Sequence, residues 1–259
     1  MNRIVKAFQD NRRKKLIGFL TGGDPDLATT KELILEMAAS GMDIIEIGIP
    51  FSDPAAEGPI IERANIRGIA SRTTVDHLFE MVAELRKELQ IPILFMTYAN
   101  LIFAYGKERF MKNCEASGID GIIVPDLPLE EMGEFKEACQ KHGVIQISML
   151  APTSTARIEK IVAEAEGFLY CVSSLGVTGM RENLATSIAP LIEKIGSVVP
   201  CAIGFGISTP KQAKEMSQLA DGVIIGSAIV AIIEKHGKKS PGPMGEFIKE
   251  IRKEMDTDA

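Results

Sequence analysis

ASGMDIIEIGIPFSDPAAEGP, residues 39–59, carries the pattern that decides the fold. It opens on small residues and Gly41, as a helix ends when its C′ position needs positive φ. Asp43 follows, then a run of isoleucines interrupted by one acid, Glu46, then a proline-containing loop with Asp53 and Glu57. The opening returns as ASGIDGII (116–123) and, more loosely, as LADGVII (219–225). Recurring helix-to-strand junctions are what stacked βα units require.

Short apolar runs recur along the chain, with the one in this stretch as the second: LIGFLT (16–21), IIEIGI (44–49), ILFMTY (93–98), GIIVP (121–125), VIQISM (144–149), FLYCV (168–172), CAIGF (201–205) and GVIIG (222–226). Amphipathic helical patterns separate them, at 27–39, 74–89, 107–117, 129–141, 155–165, 184–195 and 209–218. Such runs between helices indicate parallel strands covered on both faces. Eight βα units predict an α/β fold, a single (β/α)8 TIM barrel domain over residues 1–259; a doubly wound open sheet is the alternative. Extra helices are expected at 2–13 and 244–255, and GKKSPGP (237–243) reads as a loop.

Composition narrows the function classes. With 259 residues and 46% apolar content the chain can bury a large core. No apolar stretch reaches the roughly 18 residues that cross a bilayer. The N-terminal MNRIVKAFQDNRRKK has no signal-type apolar core, so a cytoplasmic protein is expected. A net charge of −6 argues against nucleic acid as a partner. Cys114, Cys139, Cys171 and Cys201 are far apart, form no CxxC pair and read as buried reduced thiols.

Reactive groups of such a barrel lie at the C-terminal ends of strands and in the loops beyond. His77, His142 and His236 fall in helical segments, which leaves no histidine for a metal or a general base there. No lysine lies in or just after an apolar run, and no cysteine stands beside a base. The carboxylates Asp24, Glu46, Asp53, Glu57 and Asp126 remain. Strand alternation puts Ile45, Ile47 and Ile49 against the helices and points Glu46 into the lumen. A lone buried carboxyl has a raised pKa, which suits a group that both gives and takes a proton. A structural glutamate bonded to a neighbouring strand fits the spacing equally well. Asp53 and Glu57 also read as solvated loop acids, with Glu57 near the positive end of a helix starting at Pro59. GVTG (176–179), GFGIS (204–208) and GSA (226–228) follow the sixth, seventh and eighth runs. Their small residues let backbone N–H groups approach an anion, and the last two loops are the usual phosphate site of this fold.

EIGIPFSDPAAEGP (46–59), FLTGGDP (19–25), TYANLIF (97–103), VPDLP (124–128), GVTG, GFGIS and GSAIV (226–230) occur in an order and spacing that resembles the tryptophan synthase α-subunit family, over about residues 1–256. The resemblance implies a lyase that cleaves indole-3-glycerol phosphate to indole and glyceraldehyde 3-phosphate. It also implies a β-subunit partner in an α2β2 heterotetramer, with pyridoxal phosphate in the β subunit and no cofactor in this chain. Glu46 matches the family's catalytic glutamate. Glu57 stands where the family often has an aspartate, a departure that keeps the charge and adds a methylene. By position Phe19, Ile61, Tyr98, Tyr170 and Phe205 match the indole pocket, and Thr178 the closing loop. Gly179, Gly206, Gly226 and Ser227 match the phosphate cradle, and Asp53 and Pro54 the loop facing the β subunit. Two other functions compete with the lyase: a different phosphosugar isomerase or epimerase barrel, and a non-catalytic barrel that activates a β subunit.

Overall fold

The computed structural model describes residues 1–55, 57–151, 157–172, 184–196, 198–204 and 206–257. Its strands are β1 (Lys15–Thr21), β2 (Ile44–Gly48), β3 (Ile93–Met96), β4 (Gly121–Ile123), β5 (Ile145–Leu150), β6 (Leu169–Val172), β7 (Cys201–Gly204) and β8 (Gly222–Ile225). All pair in parallel and in sequence order, and β8 pairs back onto β1 to close the barrel. The open-sheet alternative is thereby excluded.

Helices α1 (Arg3–Gln9), α2 (Leu27–Ala39), α3 (Pro59–Ala70), α4 (Val75–Leu85), α5 (Ala99–Tyr105) and α6 (Lys107–Ser117) belong to the first half. The second half holds α7 (Met132–Lys141), α8 (Ile158–Glu164), α9 (Leu184–Ile195), α10 (Pro210–Ser217), α11 (Ser227–His236) and α12 (Pro241–Asp256). The expected terminal helices are α1 and α12. The loop expected at 237–243 is shorter than its composition suggests: Gly237–Lys239 forms a 3-10 turn and α12 starts at Pro241. Proline needs no N–H at a first helical position, so it opens this helix rather than breaking it.

The repeated junction has a physical reason. Gly41 and Gly118 take φ of 106° and 84°, which a side chain disfavours, and turn each helix into the next strand. The aspartate two residues on then grips the preceding strand twice. Asp43 donates its N–H to Leu16 O (2.8 Å) and accepts Leu16 N–H on Oδ2 (2.9 Å). Asp120 makes the same pair with Ile93, and Asp221 with Cys201, every bond at 2.9 Å. Arg252 backs Asp43 at 3.2 Å and Arg86 backs Asp120 at 2.6 Å, so the buried charges are compensated.

The strands divide the core in two. Ile45, Ile47 and Ile49 pack outward with the helices, as alternation predicts. Ile17, Ile44, Leu94, Ile147 and Tyr170 fill the lumen, and α1 closes its N-terminal end with Ile4 and Phe8. The opposite end is left to carry chemistry. The four cysteines are buried and free. No described helix is long and apolar enough to cross a membrane.

Candidate active site

Glu46 is the third residue of β2, opposite Phe19 of β1 and Leu94 of β3. It shares the lumen face with Ile44 and has no solvent exposure. Neither carboxyl oxygen has a hydrogen-bond partner among the described residues. Burial alone drives the group from 4.5 up to about 8. The alternative of a glutamate bonded to its neighbouring strand does not fit these unpartnered oxygens. Burial and then the charge of Glu46 push the Tyr170 phenol upward, which places Tyr170 within electrostatic reach of the acid.

Two strand glycines make room for aromatic walls. A Cβ on Gly204 would lie 2.6 Å from Tyr170 Cε1, and one on Gly48 would lie 2.7 Å from Phe19 Cζ. Phe19 in turn packs with Ala64, Val230, Ile61 and Met96. Phe19 and Ile61 therefore meet in one apolar cluster beside the lumen.

Glu57 lies half-buried just ahead of α3. Asn65 Nδ2 donates to Glu57 Oε2, and the Tyr98 side chain also hydrogen-bonds the carboxylate. Burial raises the Glu57 pKa, and the two hydrogen bonds oppose the rise. α3 does start at Pro59, so Glu57 stands next to its N-terminus, but Gly58 is the N-cap and the Glu57 carboxylate is bonded by side chains. Tyr98 is buried and stacks on Phe51 at 4.9 Å. Nothing in the sequence marked Asn65 as part of this site; its place on the buried face of α3 comes from the structure.

The other candidate acids are spent or remote. Asp24 is fully buried and held by Arg67 Nε and Nη2 at 2.7 and 2.8 Å. Asp126 accepts the Ala99 N–H at the start of α5, 3.0 Å away. Asp53 is exposed and bonded by Ser52 Oγ, and half-buried Pro54 follows it on the same loop. No group of three or more histidine, cysteine or acidic residues suited to a metal occurs among the described residues.

Gly226 directly follows β8 and caps α11, and Ser227 is the first residue of that helix. A Cβ on Gly226 would touch Phe19 at 3.6 Å, so this helix N-terminus borders the aromatic wall. Gly206 lies just beyond β7, exposed, with φ of 76°. Because β7 and β8 pair, the two loops leave the barrel side by side. Thr178, Gly179 and Phe205 lie outside the described residues.

Residues 5–257 match the family model described as tryptophan synthase alpha chain. The chain belongs to that family. The alpha chain of Clostridium kluyveri is 45% identical over 99% of this chain and 100% of its own. That of Lacticaseibacillus casei is 42% identical over 99% and 96%. A solved alpha subunit from Legionella pneumophila superimposes with a TM-score of 0.90 at 36% identity, over 99% of both chains. A chain from the Pyrococcus furiosus tryptophan synthase α2β2 complex does so with 0.86 at 33%, over 93% of this chain and 99% of its own.

Proposed function

We infer that this chain catalyses the alpha reaction of tryptophan biosynthesis, the retro-aldol cleavage of indole-3-glycerol phosphate to indole and glyceraldehyde 3-phosphate. The observation that carries the reading is Glu46, a fully buried carboxyl in the lumen without partners among the described residues, held up at about 8. At neutral pH it is protonated and can deliver a proton to indole C3. Protonation there makes the ring an electron sink, so the C3–glycerol bond breaks without a Schiff base or a metal. The glycerol hydroxyl on the departing carbon then gives its proton to the Glu46 carboxylate, its electrons form the carbonyl, and the bond pair returns to the ring. Protons balance, and Glu46 ends as it began. The group is tuned as a catalyst working in both directions requires.

Glu57 takes the second role, stabilising positive charge at the indole N–H. Phe19, Ile61, Tyr98, Tyr170 and Phe205 form the aromatic-sized pocket, with Thr178 on the closing segment. Gly179, Gly206, Gly226 and Ser227 hold the phosphate, aided by the N-terminus of α11. Asp53 and Pro54 face a β subunit in an α2β2 assembly, and pyridoxal phosphate belongs to that partner. Residues 1–259 act as one domain, in the cytoplasm.

The test is to incubate the full chain with indole-3-glycerol phosphate, alone and with a β subunit, and to measure both products. Equimolar indole and glyceraldehyde 3-phosphate are expected. Silence in both arms overturns the lyase reading.

A further inference from the structure

We propose that Asn65 is a positioning residue, which fixes the direction of the Glu57 carboxylate by relaying the polarity of the Phe51 backbone amide to it. The inference rests on the lyase reading for what Glu57 does, and on geometry alone for how it is held.

Asparagine is a poor choice inside a helix, because its side chain competes with the backbone. Asn65 nevertheless sits within α3, 4% exposed, on the buried face with Ala64 and Gly68. Both ends of its amide are used. Oδ1 accepts the Phe51 N–H at 3.3 Å, and Nδ2 donates to Glu57 Oε2. A backbone N–H can only donate, so it dictates which end of the amide faces it. The other end is then a donor, and Glu57 can meet it only with an accepting oxygen. The loop from Phe51 to Glu57 is thus tied at both ends to one side chain of the helix that follows.

This matters more for a glutamate than for an aspartate. A glutamate has more rotamer freedom than an aspartate, and ordering a long polar side chain has an entropic cost. Asn65 and Tyr98 both hydrogen-bond Glu57, and the two bonds remove that freedom before substrate arrives. A misplacement of about 1 Å at a reacting group can cost roughly 100-fold. The clamp is what lets the longer acid stand at this position.

The decisive variant is Asn65→Asp, which keeps an acceptor for the Phe51 N–H but cannot donate to an ionised Glu57. With the full chain, and its β subunit where turnover needs one, kcat should fall by at least about 10-fold while KM stays within about threefold. The acid limb of the rate profile should move to higher pH, because two carboxyls then share one site. In a Glu57→Gln background the same substitution should change kcat by less than about twofold, because its effect passes through Glu57. Wild-type kcat in Asn65→Asp, or an equal loss in both backgrounds, overturns the proposal. A carbon-13 titration of the Glu57 carboxyl reads the clamp without turnover and separates it from the lyase reading. Asn65→Ala should raise the Glu57 midpoint, and an unmoved midpoint overturns the clamp even if the wild type proves silent.

Discussion

Glu46→Gln should make the protein more stable, by an amount that grows with pH. Glu46 titrates near 4.5 in the unfolded chain and at about 8 in the folded one. Between those values the native state holds a proton that the unfolded state releases. The contribution of Glu46 to stability is therefore complete below about pH 4.5 and is lost as pH rises through about 8. At 1.36 kcal/mol per unit, the loss is about 1 kcal/mol at about pH 5 and about 4 kcal/mol at about pH 8. Glutamine fills the same volume and has nothing to titrate. Urea unfolding of both proteins at these two pH values isolates the effect, because any packing cost of the amide is the same at each. The advantage of the variant over wild type should grow by about 3 kcal/mol from the lower pH to the higher. An advantage that stays flat across this range would refute the reasoning, since Glu46 would then be solvated or paired in the native state.

Three further outcomes follow from the geometry. The rate of indole-3-glycerol phosphate cleavage should fall as pH rises through about 8, where Glu46 loses the proton it must deliver, and the pH profile of kcat/KM checks this. Gly204→Ala pushes a methyl into the Tyr170 ring, so it should raise KM and cost about 1–3 kcal/mol of stability, read by steady-state kinetics and urea unfolding. Arg67→Ala leaves Asp24 buried and uncompensated and should cost about 3 kcal/mol or more, seen as a lower urea midpoint.

The barrel was legible because parallel strands covered on both faces leave unbroken apolar runs, and all eight were visible. Glu46 was legible for a related reason: one acid within such a run has only the lumen to enter. Three things escaped. The helix α5 has seven residues and follows β3 after only two, so its apolar content merged with the strand signal. The start of α12 at Pro241 hid in a glycine- and proline-rich stretch that reads as a loop, where proline acts as a first helical residue. Asn65 and the Arg67–Asp24 pair join residues 8 and 43 positions apart, and no local pattern records such a meeting. The walls were legible only through the family resemblance, because no spacing sets Phe19 or Tyr170 apart from core aromatics, and Gly48 and Gly204, which make space for these two rings, looked like ordinary strand glycines.

The central claim is that one buried carboxyl in the lumen, Glu46, moves both protons. The most direct test is indole release from indole-3-glycerol phosphate by wild type and by Glu46→Gln, each with and without a β subunit. A loss of about 100-fold or more in the variant, in a protein that folds and still binds substrate, is the predicted result. Retention of activity within about threefold would contradict the account, because the proton would then come from another group.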